Sequence, residues 1–96
     1  MNDILFLLSK TPVEIEKLIS SRIRTIRRRR RISQQRLSEL SGVSFGSVKR
    51  FERTGEISLL SLIKIAVALD IENELENLFA EVPPQSIEEI INGQDK

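Results

Sequence analysis

The stretch QQRLSELSGVSFGSVKRFER, residues 34–53, decides how this chain folds. It reads as two short helices joined by a tight turn, with Ser33 placed to cap the first and Ser44 to cap the second. Two helices that cross steeply over a turn of a few residues impose conditions on particular positions. The fifth residue must be small for close packing, and Ser38 is there. The ninth must tolerate positive φ, and Gly42 is there. The fourth, tenth, fifteenth and eighteenth must be apolar anchors, and Leu37, Val43, Val48 and Phe51 supply them in the same register.

Outward toward the N-terminus, Thr11-Pro12-Val13-Glu14 is a helix start, with Thr11 as cap, Pro12 in the first helical position and Glu14 completing a capping box. Ile15, Leu18, Ile19, Ile23 and Ile26 then recur at three- and four-residue steps and predict one buried stripe on a long helix. Arg22, Arg24 and Arg27–Arg31 are expected in its last turns, where cations oppose the negative helix end. In the pair that follows, Leu40 is expected to face inward beside Leu37. Toward the C-terminus, Thr54-Gly55 closes the helix that begins after Ser44. Ser58 opens a fourth through Leu69, with Leu59, Leu62, Ile65, Ala66 and Leu69 on its buried side. Asp70 starts a fifth over roughly 72–79, carrying Leu75, Leu78 and Phe79. Pro83-Pro84 breaks the chain, Ser86–Glu89 is a further capping box for a short helix through Ile91, and the residues after it should fray. The reading is all-α: a leader over 1–10, a five-helix domain over 11–82 and an acidic tail over 83–96.

Composition narrows the functions open to such a domain. The 96 residues include no Cys, His, Trp or Tyr, which rules out disulfides and Cys/His metal sites and removes most nucleophile arrangements. The four glycines are isolated, so no phosphate-cradling loop exists, and Glu88 and Glu89 are neighbours on a helix that do not face one another. An enzyme, a cofactor and a metal are therefore not expected. The apolar run Ile4–Leu8 is too short to span a bilayer and has no basic lead-in, so neither a membrane nor secretion is expected and the cytoplasm is the default. The net charge of +1 conceals an asymmetry: residues 1–69 hold 14 Lys/Arg and 6 Asp/Glu, and residues 70–96 hold 1 Lys and 8 Asp/Glu. A basic front half points to a polyanion partner and an acidic back half to a separate role, unless the charges only solvate helix faces.

All six positional conditions, met in one register, are the spacing of a helix-turn-helix. Ile32-Ser33-Gln34, Leu37–Ser44 and Val48–Glu52 resemble the Cro/C1-type (XRE-family) helix-turn-helix over about residues 18–79. The resemblance implies a five-helix lambda-repressor-like domain that binds double-stranded DNA, with the third helix in the major groove and dimers common. It implies that Gln34 grips a backbone phosphate and that the exposed residues opening the third helix face base edges. Here those are Ser44, Phe45, Gly46, Lys49 and Arg50. Arg50 can make bidentate bonds to guanine, Lys49 can read guanine or hold phosphate, and Gly46 lets the backbone approach closely. Phe45 is open between a thymine methyl, the core and a partner surface. Ser44, as well as capping the helix, could meet phosphate, and Arg53, Arg30 and Arg31 are the further phosphate candidates. Five consecutive arginines wrap more than one turn, so some serve phosphates while others pair with Glu16 or the acidic tail. The link Glu52–Ser58 departs from the family pattern, since no proline precedes the fourth helix.

A single such domain reads few base pairs, so a homodimer is expected. Leu75, Leu78 and Phe79, with Leu5 and Phe6 of the leader, either close the monomer core or form that interface. Arg50–Ser58 also resembles small regulators found beside HipA-type kinase toxins, which implies an antitoxin that binds a protein toxin and represses its own operon. The rivals from other classes are a protein-binding adaptor on the same scaffold and a non-specific RNA binder, the second weakened by the lack of aromatic stacking platforms.

Overall fold

Thr11 and Glu14 form the expected capping box at the start of the first helix, α1 (Pro12–Arg29). Glu14 N–H donates to Thr11 Oγ1 at 3.2 Å and Thr11 N–H donates to Glu14 Oε1 at 2.7 Å, which satisfies two of the donors a helix start leaves free. The computed structural model describes residues 9–82. Leu5 and Phe6 of the leader and the helix expected through Ile91 lie outside the described residues. Four more helices follow: α2 (Gln34–Ser41), α3 (Phe45–Thr54), α4 (Leu59–Ala68) and α5 (Glu72–Glu76). No strand occurs among the described residues.

The punctuation of the chain is local chemistry. Ser33, Ser44 and Ser58 each accept a backbone N–H three residues ahead, from Arg36, Ser47 and Ser61. Gly42 and Gly55 end α2 and α3 with φ of 77° and 87°, a conformation that costs other residues about 1–2 kcal/mol. Two boundaries differ from expectation. α1 stops at Arg29, because Arg31 turns left-handed (φ 58°) and Ile32 N–H bonds back to the Arg27 carbonyl. Arg30 and Arg31 therefore lie beyond the helix, in the reversal that delivers Ser33 to α2. α5 covers Glu72–Glu76 and stops short of Leu78 and Phe79. It has no side-chain cap, since Asp70 (φ 60°) serves the left-handed turn that ends α4 instead.

α1 packs on α3, α2 on both α3 and α4, and α4 on α5. The core is one cluster of Ile23, Leu37, Val43, Val48, Phe51, Ile65 and Leu69. Every anchor of the helix-turn-helix spacing is in it, and each fully buried side chain of this size contributes about 1.5–3 kcal/mol. The rest of the expected core is more selective. Ile15, Ile19, Leu40 and Leu59 are exposed, not buried. Leu40 sits 60° around α2 from Leu37, off the side that α3 and α4 cover. α1 packs on α3 and buries Ser20, Ile23 and Arg27, while Ile15 in its first turns stays uncovered. Ile19 looks instead into an apolar groove of about 270 Å³, lined also by Ile26, Leu62, Ala66, Leu75 and Leu78.

Candidate nucleic-acid interface

The arginine run does not act as a block. Arg27 is buried, and its guanidinium meets the Glu52 carboxylate edge-on: Nε donates to Oε2 at 2.6 Å and Nη2 to Oε1 at 2.9 Å. Its third group, Nη1, donates to the Ile32 carbonyl at 2.8 Å. Gln34 Nε2 donates to Glu52 Oε1 at 2.9 Å, and Arg24 lies 3.9 Å from the same oxygen. One carboxylate, 4% exposed, thus ties α1, the reversal and the start of α2 to α3. Burial raises the Glu52 pKa, but the hydrogen bonds from Arg27 and Gln34 and the charges of Arg27 and Arg24 outweigh it, and the net effect is a carboxylate held below its ordinary value. For Arg27 the partner is Glu52 rather than Glu16, and the acidic tail lies outside the described residues. Arg28, Arg29, Arg30 and Arg31 are exposed.

With Val48 and Phe51 turned into the core, α3 presents the opposite stripe, Gly46, Lys49, Arg50 and Arg53, at three- and four-residue steps. All four are exposed. Phe45, 40% exposed, opens the same face, and Lys49 Nζ stands 4.5 Å from its ring centroid, a cation–π contact one helical turn long. Phe45 is therefore spoken for within the helix as well as open to solvent. Arg50 Nη2 donates to the Glu56 carboxylate in the loop after α3. Ser44 accepts the Ser47 N–H at 3.1 Å and donates to Ser47 Oγ at 2.8 Å. A side-chain carbon built on Gly46 would meet nothing within 4 Å, so the protein's own packing does not require glycine there. Beside the stripe, Arg24, Gln34, Lys49, Glu52 and Arg53 line an open cleft of about 270 Å³. The structure thus brings the α3 candidates and Gln34 to one side. Arg30 and Arg31 stand in the reversal before α2. Leu75 is half-buried, while Leu78 and Phe79 are exposed after α5.

Two charged residues of this region were not singled out from sequence, Glu52 and Glu56. The Phe45–Lys49 contact could have been, since residues four apart on a helix are neighbours. The Arg50–Glu56 pair could not, because it forms across a turn.

A helix-turn-helix family model matches residues 23–72, just over half of the chain. The chain belongs to the Cro/C1-type helix-turn-helix family. The matched span runs from the buried end of α1 to the first residue of α5 and contains the whole α2–α3 unit. This helix-turn-helix protein is accordingly a DNA-binding transcription regulator. The match is to the family as a whole and does not separate a HipA-associated antitoxin from other members. No curated protein and no solved structure matches the chain. No helix of the described residues is long and apolar enough to cross a membrane, and no group of three or more Cys, His, Asp or Glu among them could hold a metal ion.

Proposed function

We propose that the protein is a sequence-specific repressor that places α3 in the major groove and works as a homodimer. The observation that carries this reading is the exposed stripe Gly46-Lys49-Arg50-Arg53. Three cations stand in a row behind a glycine that internal packing does not demand. Open space in front of that position suits close approach by something outside the chain. In this reading Arg50, Lys49, Phe45 and Gly46 meet base edges, and Gln34, Ser44, Arg53, Arg30 and Arg31 meet phosphates. The test is binding to a duplex from upstream of the gene against a scrambled control, over a salt series. The expected preference is ~10³ or more. Arg50→Ala should remove a factor of about 5–150 of it, the worth of one bidentate contact to guanine. Equal, steeply salt-dependent binding of both duplexes would leave only a charge-driven binder.

The dimer is proposed to form through Leu75, Leu78 and Phe79, with Leu5 and Phe6 adding to it. Phe79 is 85% exposed and Leu78 51%, an apolar pair that the other described residues leave uncovered. Light scattering of the wild type at micromolar concentration should give twice the chain mass. Phe79→Glu should give the monomer with the helical signal intact, and a monomeric wild type would sink the proposal.

A further inference from the structure

Arg50 does not stand free in front of α3. Its guanidinium is paired at the surface with Glu56, and the turn that carries Glu56 is fixed through its backbone. Gly55 turns the chain left-handed at φ 87°, in a position where a Cβ would come within 2.8 Å of the Glu16 Cβ, so α1 and the loop are in close contact. Glu56 N–H then donates to Thr54 Oγ1 at 3.1 Å, and the same hydroxyl donates to the Arg50 carbonyl at 2.8 Å. Backbone and side chain of Glu56 are therefore both referred to Arg50. Only Nη2 of the guanidinium is taken by the carboxylate, which leaves the remaining N–H groups of the fork for an outside acceptor. The two groups border an open polar hollow of about 360 Å³, with Ser47, Ser58 and Ser61 on its wall.

We infer that Glu56 is a specificity-determining residue of this regulator, acting as a buttress for Arg50. The inference rests on the DNA reading above and deepens it. A long arginine side chain has much rotamer freedom to lose when it reads a base. One already held at the surface by a carboxylate loses less. That favours the site where the rest of the fork meets guanine O6 and N7. The same carboxylate opposes any docking that relies on phosphates alone, because it neutralises the arginine and repels the backbone. Glu56 thus acts with opposite sign on the right and the wrong sequence. Lys49 rests on Phe45 and forms no ion pair among the described residues, and the ring contact keeps its positive charge available to phosphate.

The experiment compares the wild-type full chain with Glu56→Gln, Arg50→Ala and the double variant on two duplexes. One duplex is selected from a random pool for tight binding and the other is scrambled. A second readout follows the Arg50 Nε–H by NMR relaxation without DNA. Glu56→Gln should weaken the selected duplex and tighten the scrambled one, each by up to about fivefold, the scale of an exposed ion pair. It should also free the Arg50 side chain. In the Arg50→Ala background the same change should no longer weaken the selected duplex. If Glu56→Gln moves both duplexes equally and in one direction, Glu56 contributes only bulk charge and the inference falls while the DNA reading stands. If the Arg50 Nε–H is as mobile in the wild type as in Glu56→Gln, the buttress does not exist and the inference falls. Failure of the wild type to prefer any duplex overturns the DNA reading and this inference with it, an outcome told apart by the lack of selection itself.

Discussion

Arg27→Ala is expected to destabilise the protein by about 3–5 kcal/mol, a large share of a total stability of about 5–15 kcal/mol. The cost does not come mainly from the lost attraction. It comes from leaving Glu52, 4% exposed, as a charged carboxylate in the interior with one hydrogen bond from Gln34 and the more distant charge of Arg24 at 3.9 Å. Glu52→Ala should cost a similar amount by leaving Arg27, whose side chain is 10% exposed, without its acceptor. Replacing both together with Met should recover most of the loss, since a packed apolar pair avoids the desolvation of two charges. Urea titration followed by helical circular dichroism checks all three. A loss below ~1 kcal/mol in either single variant would mean that the pair behaves as a surface salt bridge. The network also sets an acid limit. Because the folded state holds the Glu52 pKa below its ordinary value of 4.5, the pair's stabilisation is fully present above that value. It is lost as pH falls through the lower folded value. The midpoint in urea should therefore drop on acidification below about pH 4.5 in the wild type, and the double Met variant should show a shallower drop.

Gly55→Ala is the second change with a large expected effect, and Gly42→Ala is its control. Both glycines are left-handed, so either alanine incurs about 1–2 kcal/mol of backbone strain. A Cβ on Gly42 meets nothing within 4 Å, and the loss there should stop at that strain. At Gly55 the new carbon would lie 2.8 Å from Glu16 Cβ and 2.9 Å from the Glu16 carbonyl carbon. Backbone cannot rotate away as a side-chain end can, so α1 must shift, adding about 1–3 kcal/mol as overpacking does. Thermal unfolding of the two variants side by side should place Gly55→Ala well below Gly42→Ala. Equal midpoints would show that α1 yields at Glu16 without cost.

These contacts explain why part of the protein is legible from the chain alone. Serine caps, glycine stops and the Leu37, Val43, Val48 and Phe51 anchors are set by interactions within a few residues or by one fixed spacing, and all of them are where the pattern puts them. Apolar spacing is weaker evidence of burial. Ile15, Ile19, Leu40 and Leu59 satisfy the helical period, but period says only which side of a helix is apolar, and whether another helix covers it depends on where the neighbours end. The fifth helix is short for a related reason. Glu72–Glu76 is one turn and a half without a cap, too short to propagate through Leu78 and Phe79 without packing on both sides.

The sequence by itself determined the helix-turn-helix, its register and the face of α3 that is free to touch a ligand, because each depends on short-range periodicity and turn chemistry. Only the tertiary structure decided how the charges are divided. Five adjacent arginines look alike along the chain, yet the crossing of α1 over α3 buries Arg27 against Glu52 and leaves its neighbours in water. Likewise the left-handed turn at Gly55 brings Glu56 to Arg50 across a loop that no repeat describes. A charge is worth little in water and a great deal when desolvated or held, and burial is a property of the assembled helices.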